Sequence, residues 1–148
     1  MENIKRESEI SFDYIRGLVD GEGTFTFSSN NKRQRTKIPA FSIKMHARDK
    51  ELLVKVRNAM NLKNNIYEYN YQGKDGSKRG PQAMLIVREF GQLKNIVVPF
   101  FYKKLIGNKG KQFEEWIEKI GTDPDVPKSY KFIYRIYKLG FYDRNPKF

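Results

Sequence analysis

Between Tyr14 and Gly23 the sequence reads Y-I-R-G-L-V-D-G-E-G, and this stretch limits what the chain can become more than any other. Gly17 and Gly21 are four residues apart, which on a helix puts them on one face, one turn above the other. A glycine inside a helix costs roughly 1 kcal/mol relative to alanine, so two on one stripe make sense where another backbone must approach closely. Phe12, Ile15, Leu18 and Val19 fall on the neighbouring face and are read as packing inward, with Ser11 as N-cap of a helix ending near Gly21. At the far end Asp20 and Glu22 bracket Gly21, and Gly23 lets the chain turn into the alternation Thr24-Phe25-Thr26-Phe27-Ser28. The C-terminal end of a helix is the negative end of its dipole, so two carboxylates there call for a cation, and a divalent metal is the direct candidate. Solvated acids behind a glycine cap are the plainer alternative.

The rest of the chain alternates strand pairs with helices. Residues 24–46 read as a hairpin: Phe41, Ile43 and Met45 on one face of its return strand, Ser42, Lys44 and His46 on the other, and a basic turn over 29–35. A helix follows from Arg48-Asp49-Lys50, with Asp49 as cap, Leu52, Leu53, Val56, Ala59 and Met60 at helical spacing, and Asn61 as the stop. A second hairpin spans about 65–88, with Gly73–Pro81 as its turn. Its alternating tyrosines Tyr67, Tyr69 and Tyr71 are read as a sheet face packed on a helix, with a base-stacking surface as the alternative. Phe90–Phe101 is apolar at helical spacing, Leu105–Lys111 a basic, glycine-bearing loop, and Phe113–Ile120 an amphipathic helix. A proline break over 121–127 precedes a last helix over Lys128–Leu139, while residues 1–10 read as a loose polar arm. The order predicts one α+β domain over 1–148, an antiparallel four-stranded sheet with helices on one face and a C-terminal helical extension beyond about 121.

Charge narrows the partner. There are 29 basic residues against 17 acidic ones, a net charge of +12 over 148 residues, which points to a polyanion rather than to a generic soluble surface. The sheet face away from the helices carries Thr24, Thr26, Ser28, Ser42, Lys44, His46, Gln82, Met84 and Arg88. Such a ribbon fits a duplex major groove, with Lys32, Arg33, Arg35 and Lys37 in or beside the first turn gripping phosphates, together with basic residues at 74–79. No cysteine is present and His46 is the one histidine, which excludes a disulfide framework and a cysteine- or histidine-rich zinc site within one chain. No apolar run approaches a membrane span, and no basic amphipathic segment adjoins an anchor, so an intracellular, soluble chain without membrane contact is expected.

Residues Ile15–Gly23 resemble the nine-residue motif that names the LAGLIDADG homing endonucleases: Gly17-Leu18-Val19-Asp20 match its third to sixth positions and Glu22-Gly23 its last two. Arg16 departs from the small second residue, and Glu22 replaces the usual Asp with an accepted alternative. The order of elements, and the run from Pro99-Phe100-Phe101 through Leu105–Lys109 to Phe113 and Trp116, resemble the same family over about residues 11–121. The resemblance implies the αββαββα fold with a DNA-binding saddle, and cleavage of a long pseudo-palindromic duplex site, as in intron homing. It implies Mg²⁺ (with Mn²⁺ as a substitute) held by Glu22 and the Gly21 carbonyl, with Asp20 in a structural role near the helix end. Lys109 matches the family's basic active-site position, with Lys104 and Lys111 as alternatives, and Met45 stands where relatives often carry Gln. One motif per chain implies a homodimer packed through Tyr14, Gly17, Leu18 and Gly21, bringing two Glu22 carboxylates together. The rival reading within the family is a non-cleaving RNA maturase or DNA-binding regulator; a basic RNA-binding protein without catalysis would leave Gly17, Gly21 and Glu22 unexplained together.

Overall fold

A computed structural model describes residues 9–31, 34–72 and 78–148, with backbone alone at 30, 31, 34, 71, 72, 78 and 79. Helix α1 (Phe12–Glu22) begins where the Ser11 hydroxyl accepts from the Tyr14 amide at 3.0 Å, and ends with Glu22 as its last residue. It runs directly into strand β1 (Gly23–Asn31), which pairs antiparallel with β2 (Gln34–His46). A turn of 3₁₀ helix over Ala47–Asp49 leads to α2 (Lys50–Met60), and here the cap differs from expectation. Asp49 makes no capping bond; instead His46 Nδ1 accepts from the Arg48 amide at 3.1 Å, while Asn61 stops α2 in the left-handed conformation at φ 60°.

Strands β3 (Ile66–Gln72) and β4 (Lys78–Val87) complete a sheet of order β1-β2-β4-β3, antiparallel throughout. The expected turn over 73–81 is therefore shorter, because β4 already includes Gly80 and Pro81. Gly80 takes φ +78° near the register shift between Asn70 and Gln72, and Pro81 lies beyond Gln82, the last residue of β4 paired to β2. Helical turns α3 (Phe90–Gln92), a π-helical stretch over Leu93–Val97 and α4 (Val98–Phe101) follow, then α5 (Lys109–Thr122), α6 (Lys128–Lys138) and α7 (Phe141–Arg144). Lys109-Gly110-Lys111 is thus the first turn of α5 rather than a loop. Gly110 fits there because the Leu105 carbonyl lies 3.0 Å from where a Cβ would stand.

One core lies on the helical side of the sheet. Phe41, Ile43, Ala83, Leu85 and Val87 meet Ile15 and Val19 of α1, Leu53 and Val56 of α2, Phe100 and Phe101, and Phe113, Trp116 and Ile120 of α5. Trp116 also donates its indole N–H to the Thr26 carbonyl at 2.8 Å, fixing α5 against the edge strand. The C-terminal extension joins this core through Val126, Ile133, Ile136 and Tyr142. Lys131 Nζ donates to three carbonyls at the end of α5 and beyond, Ile120, Gly121 and Asp123, so the break at 123–127 is clamped. Among the described residues no helix is long and apolar enough to cross a membrane.

Candidate nucleic-acid interface and cleavage centre

Helix α1 divides into two stripes. Ile15 and Val19 are fully buried, and Arg16, a charge next to the core, is buried with them. Its Nε donates to the Phe100 carbonyl at 3.0 Å, its Nη1 to Asp13 at 3.2 Å, and its guanidinium lies 4.7 Å from the Phe100 ring centroid. Arg16 therefore points away from the glycines, and its bulk leaves their stripe clear. Phe12, expected inside, is 39% exposed and packs edge-on against Phe100 and Phe148. The opposite stripe carries half-exposed Tyr14, exposed Gly17, half-buried Leu18 and exposed Gly21. Among the described residues, a Cβ added at Gly17 or at Gly21 would meet nothing within 4 Å.

The two acids at the end of α1 are treated differently by the fold. Asp20 accepts from the Ile106 amide through Oδ2 and from the Gly107 amide through Oδ1, each at 3.1 Å. It does satisfy backbone groups, as the resemblance implies, but those of a loop 86 residues away rather than of its own helix end. That loop leads through Asn108 into Lys109, so one carboxylate sets where α5 begins. Glu22 is exposed and makes no side-chain hydrogen bond or ion pair among the described residues. Its carboxylate and the Gly21 carbonyl, in the last turn where helical carbonyls lack intrahelical partners, are hard oxygen donors of the kind Mg²⁺ takes. Among the described residues no three acidic, histidine or cysteine side chains come together within one chain. Lys109 is half-exposed at the first turn of α5, and Lys104 and Lys111 are exposed on either side of it.

Cross-strand register settles the sheet faces. Thr24, Ser42 and Ile86 lie abreast on the face away from the core, as do Lys44, Met84 and Tyr67, and His46, Gln82 and Tyr69. Thr26 and Ser28 share that face opposite Ala40 and Ile38, and Arg88 follows β4, exposed. The tyrosine expectation is corrected here: Tyr67 and Tyr69 stand on the open face, and Tyr67 is 52% exposed. Met45 pairs with Ala83 and packs on the core side. Arg35 is exposed, whereas Lys32 and Arg33 lie outside the described residues. Lys37 is engaged elsewhere: Nζ meets Asp123 at 2.8 Å and its amide donates to the Asp125 carbonyl at 3.0 Å. The hydrogen bond to Asp123 raises the Lys37 pKa, and the same bond, with the Asp125 amide, holds Asp123 below the usual carboxylate range. Ile86 and the Asp123 anchor are what sequence reasoning missed: strict alternation from Met84 marks Ile86, but nothing local marks Asp123.

An α+β domain that leaves one sheet face open, with a glycine stripe on the helix feeding its first strand, defines a class before any comparison. The model of a family described as LAGLIDADG endonuclease matches residues 15–120, and the chain belongs to that family. Solved structures share the fold. The LAGLIDADG meganuclease I-CpaMI bound to uncleaved DNA is 20% identical over 88% of this chain and 44% of its own, with a TM-score of 0.61. The LAGLIDADG homing endonuclease I-LtrWI bound to target DNA is 22% identical over 94% of this chain and 45% of its own, with a TM-score of 0.56. The homing endonuclease I-TnaI is 20% identical over 88% of this chain and 98% of its own, with a TM-score of 0.50. The chain thus spans less than half of the two DNA-bound relatives and nearly all of I-TnaI.

Proposed function

We propose that two copies of this chain pack through the stripe of Tyr14, Gly17, Leu18 and Gly21, and that the pair cleaves both strands of a long, pseudo-palindromic duplex DNA site. The observation that carries this reading is the empty space over Gly17 and Gly21. A glycine in a helix interior costs roughly 1 kcal/mol relative to alanine, and no described neighbour within the chain explains Gly17 or Gly21. A second α1 lying across them does. Matching less than half of I-CpaMI and I-LtrWI fits a chain that supplies one half of such an enzyme. The two-fold pairing gives the target its symmetry, one half per protomer.

Glu22 and the Gly21 carbonyl would hold Mg²⁺, which acidifies a water and neutralises phosphate charge when bound. The described residues of a single chain offer too few oxygen ligands there, and the pair brings a second set. Asp20 keeps the Leu105–Gly107 segment against α1 and so holds Lys109 in place, where its ammonium steadies phosphate charge or the attacking water. Lys44 on the open face meets the duplex without a strand acid to repel it, since Glu68, the one acid in the four strands, pairs with Lys50 on the helical side, and Arg88 adds an exposed charge just past β4.

The test is cleavage of duplexes selected by binding from a randomised library, with Mg²⁺, with Mn²⁺ and with EDTA. The expected outcome is metal-dependent double-strand cleavage that Glu22→Gln reduces by several orders of magnitude while DNA affinity is kept, because the amide retains shape and loses the charge that holds the metal. Binding without cleavage in either metal is the result expected of a maturase or a regulator, and it would overturn the nuclease reading.

A further inference from the structure

The open face of the sheet is chemically uneven. Its central strand β4 presents Met84 and Ile86 there, both half-buried and both unable to donate a hydrogen bond. Lys44 and Tyr67 flank Met84, and Ser42 flanks Ile86. Neither residue belongs to the core cluster on the helical side. A single half-buried apolar residue on a surface is ordinary, but these two stand side by side on the face that the proposed function lays against the duplex. The edges of base pairs in the major groove offer one apolar group, the C5-methyl of thymine.

Resting on the DNA-binding reading above, we infer that Met84 and Ile86 form a thymine-methyl-reading strip, so that each half of the target carries two T·A pairs at fixed positions. The spacing follows from the strand. Two residues of β-strand advance about 7 Å, close to two base-pair steps of a duplex with a rise of about 3.4 Å. The two thymines therefore lie about two steps apart in each half-site, related by the two-fold axis to a second pair.

The test uses the unaltered chain first. Duplexes are selected by binding from a randomised library, and each recurrent thymine is then replaced by deoxyuridine, which removes the methyl and nothing else. Expected are two conserved thymines per half-site about two steps apart, each losing about fourfold in affinity as uracil, the value of one buried carbon. Met84→Gln, close in shape, abolishes the uracil response at one position and leaves the other intact. G·C pairs at both positions, or unchanged affinity with uracil, overturn the inference while selection of a defined site upholds the DNA reading. If no duplex sequence is selected at all, both fall together. The thymine–uracil comparison needs no variant, so misfolding of Met84→Gln cannot mask the result.

Discussion

The two stripes of α1 answer to different demands. On one, Ile15, Arg16 and Val19 are buried, and each has its reason within the chain: two core contacts and a guanidinium bound to the Phe100 carbonyl. On the other, Tyr14, Gly17 and Gly21 are exposed, and among the described residues nothing stands over the glycines and the Glu22 carboxylate just past them has no partner. Asp20, two residues from Glu22, belongs with the first group because its carboxylate is taken up by two backbone amides. Residues whose identity the chain's own fold accounts for hold the molecule together. Those it leaves unaccounted for are where the proposed function puts a second chain, a metal and DNA.

Substitutions can break this contrast from either side. The largest effect belongs to Gly17→Leu: cleavage of the selected duplex falls by orders of magnitude because the new side chain forces two copies of α1 apart. Far-UV circular dichroism of the variant keeps its helical content, since no described residue of the single chain occupies that space. Ile15→Ala, one position along the buried stripe, does the reverse and lowers unfolding stability by about 2–5 kcal/mol, read by urea titration. Asp20→Asn leaves one of its two oxygens as acceptor and loosens the 106–107 loop, so the cleavage rate falls by up to about 100-fold at unchanged DNA affinity.

The smallest effect is one of pH, far from α1. Asp123 is held low by Lys37, so its contribution to docking the 123–125 segment is present above the ordinary carboxylate value of 3.8 and is lost as pH falls through its lowered folded value. Lys37 is raised, so its share is present below 10.5 and is lost as pH climbs past that. Hydrogen exchange at the Lys37 amide, which donates to Asp125, stays protected across the neutral range and weakens at the acid end. Full protection of that amide in Asp123→Ala would show that the pair does not hold the segment.

Much of this was readable in the sequence because it depends on neighbours in the chain. Ser11 caps α1, Asn61 ends α2, and strand alternation sorts Phe41 and Ile43 from Ser42 and Lys44. What escaped depends on groups far along the chain. Arg16 turns inward because a carbonyl 84 residues later accepts from it. Lys109 starts a helix, against the glycine beside it, next to the loop that Asp20 holds and where the Leu105 carbonyl would crowd a Cβ at 110. Lys37 looks like a phosphate contact until the C-terminal extension brings Asp123 to it, 86 residues away. Tyr67 and Tyr69 could sit on either face until their pairing with Met84 and Gln82 fixes the open one.

The central claim, that a second copy completes the exposed stripe of α1, is tested most directly by the mass of the chain on its own DNA. Multi-angle light scattering of the complex with the selected duplex should give two chains per duplex, and one or none when Gly17→Leu replaces the unaltered chain. A single unaltered chain per duplex that still cuts both strands would contradict the account, because one Glu22 would then be doing the work assigned to two.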